Sequence, residues 1–308
     1  MPKVPRFEDR SLKAHILLVL MTLIWGTSFV LVKEALRSAS PLLFNAVRMT
    51  LAATLLALIY RKQLSRLTRP AMRAGVVVGV FMFLGYAFQT TGLHLTTPSK
   101  SAFLTGVSTV LVPLLLIILW RAHINPWRAA GILTAFAGLF FMTVPPGRQG
   151  MADFANINLG DVLTIACALG FAFQIIFIGR ATQRFPFEQI AVLQIAVSAV
   201  LMAISAPFLE HLHMQLSSTV VTAILVTGIL GTALAFTVQA WAQQFTPATH
   251  AALIFTLEPV FAWLTSFVVL KERLGVRAGA GALLIVAGVL VSEMLGNVSR
   301  PEQALVEG

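Results

Sequence analysis

Eight side chains in this sequence carry chemistry that their surroundings do not invite. Arg48 sits seven residues into an apolar run. A charge at the centre of a membrane helix costs about 2.5–3.5 kcal/mol on insertion scales, so it should face a cavity or a partner rather than lipid. A guanidinium there can hold a substrate carboxylate through two parallel hydrogen bonds. It can equally pair with a backbone carbonyl or extend to the membrane surface. Glu258 lies near the middle of another apolar run and reads as the only acidic residue deep in the core. It suits a substrate amine or a proton carrier. Its structural alternative is a hydrogen bond that steadies the kink at Pro259, because a proline leaves a carbonyl unpaired.

Gln89, Gln174 and Gln239, with Gln194, place amides inside apolar runs. Each can orient a polar solute or tie two helices together, and such ties average only about 0.6 kcal/mol. Trp25, Tyr86 and Phe103 are aromatics within runs rather than at their ends, where they can wall a small-molecule pocket or pack a core. Trp120, Trp127 and Trp241 lie near run ends, as interfacial anchors do. His211-x-His213 lacks a third ligand at metal spacing, so no metal is expected. No nucleophile–base pair, phosphate loop or dinucleotide fingerprint is present, so neither an enzyme nor a cofactor is expected. The single cysteine, Cys167, cannot form an intrachain disulfide.

The elements that must position these groups follow from composition. Hydrophobic residues make up 57% of the 308 and charged residues only 11%. A soluble domain carries about a quarter charged residues, so this chain is a membrane protein. Its net charge of +10 comes mostly from Lys and Arg between apolar runs, with no basic stretch interleaved with aromatics, so no nucleic-acid partner is expected. A helix crosses the bilayer core with roughly 20 apolar residues. Ten segments qualify: 14–32, 41–60, 72–92, 100–120, 127–144, 159–179, 188–207, 219–241, 248–270 and 277–295. Lys and Arg are roughly twice as numerous on the side of the N-terminus, which predicts both termini in the cytoplasm.

The segments repeat. Thr97-Pro98 leads to Ala102 and Leu104 as Thr246-Pro247 leads to Ala251 and Leu253. Ala130, Gly131, Leu133, Ala137 and Gly138 recur as Ala280, Gly281, Leu283, Ala287 and Gly288. Five helices per copy is an odd number, so the second copy must enter the membrane upside down. The expected fold is an all-α integral membrane protein of ten transmembrane helices in two inverted five-helix repeats, 1–150 and 151–308. Inverted repeats are common in secondary transporters, where exchanging the two copies' conformations turns an inward-open state into an outward-open one.

These residues resemble the drug/metabolite transporter superfamily in its ten-helix EamA-type branch, from about Leu23 to Leu290. The resemblance rests on Trp25-Gly26, Arg48, Gly231-Thr232-Ala233-Leu234-Ala235-Phe236, Glu258-Pro259 and Lys271-Glu272-Arg273-Leu274 ahead of Gly281. It implies export of amino acids or other small metabolites across a bacterial inner membrane. The expected partners are a small solute, the lipid bilayer and a proton or other coupling ion. Nucleotide-sugar, sugar-phosphate or drug transport stays open as an alternative, as does a non-transporting sensor or assembly protein. The first and fourth spans, with those between them, and likewise the sixth to the ninth, should bound the cavity. Pro113 and Pro259 are the expected bending points.

Overall fold

Runs of Leu, Val, Ala and Phe with no polar face leave a helix apolar all round, the pattern of a segment buried in lipid or in other helices. The structure is a computed structural model and describes residues 7–96, 98–144, 155–270 and 275–296, with Gly147 and Ala152. Thr97 and Lys271 to Leu274, named above, lie outside the described residues. The elements are α1 (Phe7–Ala35), α2 (Pro41–Ile59), α3 (Arg69–Leu95), α4 (Pro98–Gly106), α5 (Ser108–Trp120), α6 (Pro126–Thr143), α7 (Leu159–Arg184), α8 (Phe187–Leu209), α9 (Ser218–Gly228), a π-helical turn (Ile229–Leu234), α10 (Ala235–Ala242), α11 (Ala248–Phe255), α12 (Glu258–Leu270) and α13 (Val276–Leu295).

Among the described residues, nine helical stretches are long and apolar enough to cross a membrane. The remaining segment expected to span, now α6, is not among them, because Pro126, Trp127 and Arg128 dilute its apolar run. Helix starts follow local chemistry. Pro41 and Pro126 stand in first turns, where a missing N–H costs nothing. Asn158 and Asp161 form a reciprocal cap on α7, with Asn158 N–H donating to Asp161 and Asp161 N–H donating to Asn158, each at 3.0 Å. Asp161 is buried and also accepts the Thr96 hydroxyl, so Glu258 is not the only acid in the core. Asp161→Ala should destabilise the protein by about 1–2 kcal/mol, read as a lower Tm in detergent.

The packing scheme survives an exchange of the first five spans for the last five. α3 packs on α7 and α8, as the α9–α10 span packs on α1 and α2. α4 and α5 pack on α7, as α11 and α12 pack on α1. Two pairs map onto themselves, α2 with α8 and α6 with α13. Both run antiparallel. Leu42 and Leu43 meet Glu210 while Gln63 meets Gln189, and Gly131 meets Gly288 while Gly138 meets Gly281. A two-fold axis that swaps antiparallel helices must lie perpendicular to them, hence in the plane of the membrane they cross. This is the inverted repeat expected from the sequence.

Glycine sets how closely the copies meet. A Cβ on Gly131 would stand 2.5 Å from the Gly288 carbonyl oxygen, and one on Gly288 would stand 2.5 Å from that of Gly131. Gly75 and Gly79 likewise admit Leu193 and Val197 of α8 against α3. Gly275-x-x-x-Gly279 has the same spacing but no such role among the described residues, none of which lies within 4 Å of a Cβ at Gly275. The loops are tied as well. The Glu210 carboxylate accepts the N–H groups of Leu42 and Leu43 at 3.0 and 2.8 Å, capping α2, and an antiparallel bridge joins Ala39 to Met214. His213 serves here through its backbone, accepting from Ser40 N–H at 2.9 Å.

Candidate functional site

Among the described residues, three spans lose α-helical regularity, and all three do so at one cavity. The fourth span breaks at Val107, between α4 and α5, and the ninth breaks at Thr256 and Leu257, between α11 and α12. These are corresponding positions of the two copies. In the ninth, the bonds tighten before the break, with Thr256 N–H to Leu253 O at 3.1 Å and Leu257 N–H to Ile254 O at 3.0 Å. α12 then starts on Glu258, with Pro259 in its first turn. Pro259 thus marks a fresh helix start rather than a bend. Pro113 lies inside α5, six residues past the break, which falls instead beside Gly106. Interrupted helices in matching positions are the hallmark of transporter binding sites, because their free ends face the solute.

The third irregularity is the π turn at Ile229–Leu234. Its wider winding leaves the Thr227 carbonyl to the Thr232 hydroxyl, which donates to it at 2.8 Å. It also presents the Gly231 carbonyl to the Trp25 indole N–H at 2.8 Å. Gly26 is small because α1 lies against the ninth-span break there. A Cβ on Gly26 would stand 2.6 Å from the Glu258 carbonyl oxygen. Trp25-Gly26, Glu258-Pro259 and the Gly231–Phe236 stretch are therefore one junction.

The cavity so formed measures about 180 Å³, against the roughly 10–15 Å³ that one water needs on the same measure. Trp25, Arg48, Tyr86, Gln89, Gln174, Gln239 and Glu258 all line it. Phe103 is not among its lining residues. Its ring packs on Phe136 and Phe140 of α6, at centroid separations of 5.4 and 5.9 Å, because side chains four apart on α6 make a slot for it. The first to fourth, sixth, eighth and ninth spans line the cavity as expected. The seventh supplies none of the lining residues, and α6 adds Leu139.

Arg48 is 5% exposed, and its Nε and Nη2 have no hydrogen-bond partner. Its guanidinium lies 4.6 Å from the centroid of Tyr86 and 5.8 Å from that of Phe44, and it also shares a side-chain hydrogen bond with Tyr86, so aromatic side chains rather than carboxylates hold it. The amides differ in their commitments. Gln174 and Gln239 donate to each other at 3.3 Å, Gln174 donates to Gln194 at 2.9 Å, and Gln239 donates to Gln243 at 3.0 Å. Gln243 closes the chain by donating to the Ile175 carbonyl at 2.9 Å. This ladder ties α7, α8 and α10, and it accounts for Gln194 without the cavity.

The lining also holds residues that sequence reasoning passed over, among them Ser28, Thr90, Thr105, Phe171 and Phe255. A hydroxyl that can bond its own helix carries no signal in an apolar run, and 22 phenylalanines make any one of them anonymous. Trp25 touches two of them, Phe236 at 5.3 Å and Phe255 at 5.4 Å between centroids. The site is an aromatic box with one guanidinium that keeps two nitrogens unpartnered, and one carboxylate.

The sequence profile of the EamA-like transporter family matches residues 12–144 and 158–294. A protein of Archaeoglobus fulgidus named as an uncharacterized transporter is 33% identical over 92% of this chain and 86% of its own. The S-adenosylmethionine/S-adenosylhomocysteine transporter of Chlamydia trachomatis is 24% identical over 64% of this chain and 62% of its own. A protein crystal structure superposes with a TM-score of 0.74 over 92% of this chain and 97% of its own, at 19% identity. The chain belongs to the EamA-like transporter family, and it is a membrane transporter.

Proposed function

We propose that the protein exports amino acids, or metabolites with an amino-acid head group, across the bacterial inner membrane by alternating access. In this reading residues 1–150 and 151–308 are the two repeats, and both termini are cytoplasmic. The observation that carries it is Arg48, a buried guanidinium with two unpartnered nitrogens at a cavity that also holds Glu258. A zwitterion answers both groups at once, its carboxylate to Arg48 and its ammonium to Glu258. The aromatic walls accept an apolar side chain. The Chlamydia relative supports the class, because the solutes in its name carry the same head group. A sugar phosphate or nucleotide sugar fits less well. Arg48 is the one cation among the described lining residues, and phosphates call for several.

The test is efflux from proteoliposomes loaded with single labelled amino acids, with and without a pH gradient. At least one should leave saturably and faster than from protein-free liposomes. If none does, the amino-acid reading is wrong. Acceleration by the gradient identifies the proton as the coupling ion. Glu258→Gln should raise KM for the exported solute roughly 10- to 100-fold, the loss expected for a hydrogen bond to a charged group. An unchanged KM would remove Glu258 from the site.

A further inference from the structure

Well away from the cavity, three helices bring together side chains that the sequence scatters over nearly the whole chain. His15 of α1, His250 of α11 and Glu293 of α13 have ligand atoms all within 4.8 Å of one another. His15 Nδ1 is 3.3 Å from Glu293 Oε2, and His250 Nδ1 is 2.8 Å from Glu293 Oε1. None of the three lines the cavity. Trp25 lies ten residues beyond His15 and Glu258 eight beyond His250, so roughly 12–15 Å of helix separates cluster and cavity. We propose that His15, His250 and Glu293 bind a transition-metal dication of the Zn²⁺ type, which pins α1, α11 and α13 together at this end of the bundle.

Two imidazoles and a carboxylate are a donor set that zinc takes with water in the fourth position. Atoms bonded at about 2.0–2.2 Å to one tetrahedral ion stand roughly 3.3–3.5 Å apart. Both carboxylate contacts are already near or below that spacing, and rotation of the two rings closes the remainder. The donors are held from three separate helices, and His250 is only 2% exposed. The Nε2 atoms of both histidines are buried without a hydrogen-bond partner, so the imidazoles hold coordination capacity that no protein group uses. The side chains of His15 and Glu293 are 21% and 19% exposed at the surface of the helix bundle, so the cluster is not sealed inside it. Arg10 over Phe245 and Lys13 over Trp241 mark the membrane boundary about one turn outward. Arg128 interacts electrostatically with Glu293 and is the neighbouring cation that opposes the ion.

The test uses full-length protein in detergent, purified through a tag without histidine and stripped with chelator. Zn²⁺ titration by calorimetry should show one ion per chain. Co²⁺ should give the visible absorption of a tetrahedral centre, a reading on the native protein that needs no variant to fold. His15→Gln, His250→Gln and Glu293→Gln should each weaken Zn²⁺ binding at least about tenfold. Arg128→Gln should tighten it by about threefold or more, because a like charge is removed. A His211→Gln/His213→Gln control should leave it unchanged. No Co²⁺ spectrum, or Zn²⁺ binding that survives all three ligand variants, would overturn the site. Bound Zn²⁺ should also slow efflux in the native protein and not in His250→Gln. That arm rests on the transport reading, whereas the binding arms do not, so either can fail alone.

Discussion

Arg48→Gln is expected to reach the membrane folded and to lose roughly 30- to 1000-fold in transport at low solute concentration, the range given by 2–4 kcal/mol for one partner of a buried charged pair. The two effects separate because of what Arg48 touches. Its contacts within the protein are the faces of Tyr86 and Phe44, worth about 0.5–2 kcal/mol each, and a side-chain hydrogen bond to Tyr86, worth about 1 kcal/mol net. Against them stands the cost of holding a charge in the membrane, about 2.5–3.5 kcal/mol. Removing both leaves stability nearly unchanged. A structural arginine behaves oppositely, because truncating one partner of a satisfied buried pair costs about 3–5 kcal/mol. Arg48→Lys sharpens the distinction. It keeps the charge but loses the fork and the stack on Tyr86, so it should still lose at least about tenfold in transport. Purified variants should be compared by Tm and by initial efflux rate. Normal efflux in Arg48→Gln removes Arg48 from solute binding, and a fall in Tm with loss of protein makes it a packing residue.

The same residue shows why part of the candidate site was legible in the sequence. Arg48, Glu258, Gln89, Gln174 and Gln239 stood out because a polar group in an apolar run is costly unless something satisfies it, and one cavity collects all five. What sequence could not supply was the partner. Gln174 and Gln239 satisfy each other, Gln194 joins them from α8, and Arg48 rests on rings, a difference that depends on neighbours far along the chain. Aromatics were read less well for a related reason. Phe103 and Phe236 are equally apolar, and only the slot between Phe136 and Phe140 takes Phe103 away from the cavity.

The fold was legible to a similar depth. Span positions followed from apolar length, and the inversion from counting five helices per copy. The breaks were harder. Prolines pointed to the correct two spans, but in the fourth the helix parts at Val107 rather than at Pro113. A proline can continue a helix whose neighbours absorb the lost bond, and a glycine beside a cavity can end one. The stretch from Gly231 to Phe236 carried the family resemblance, but its π winding was not legible, because Gly and Thr are equally at home in a regular membrane helix. The His15–His250–Glu293 cluster was invisible, since its members lie on three spans whose adjacency is tertiary.

Gly138→Leu is expected to leave almost no monodisperse protein in detergent, and Gly288→Leu to do the same to a matching degree. A Cβ at Gly138 would stand 2.5 Å from the Gly281 carbonyl oxygen, and one at Gly288 would stand 2.5 Å from that of Gly131. The obstacle is backbone on both sides, so no rotamer relieves it and α6 must part from α13. Overpacking of this kind costs about 1–3 kcal/mol and more where nothing can yield. Gly275→Ala is the control, with open space around its Cβ, and should stay within about 0.5 kcal/mol of the native protein. The match between the two leucine variants is the sharper demand. Gly131 and Gly138 recur as Gly281 and Gly288, yet Gly131 meets Gly288 and Gly138 meets Gly281. Only a two-fold exchange of antiparallel helices makes a repeated pair cross-contact in this way. The axis exchanges Gly138 with Gly288, so equal damage at these two, read as Tm of the milder alanine variants, is what it requires. A difference of more than about 1 kcal/mol, with 0.3–0.5 kcal/mol as the usual scatter, would mean that the seam has lost the symmetry from which alternating access is built.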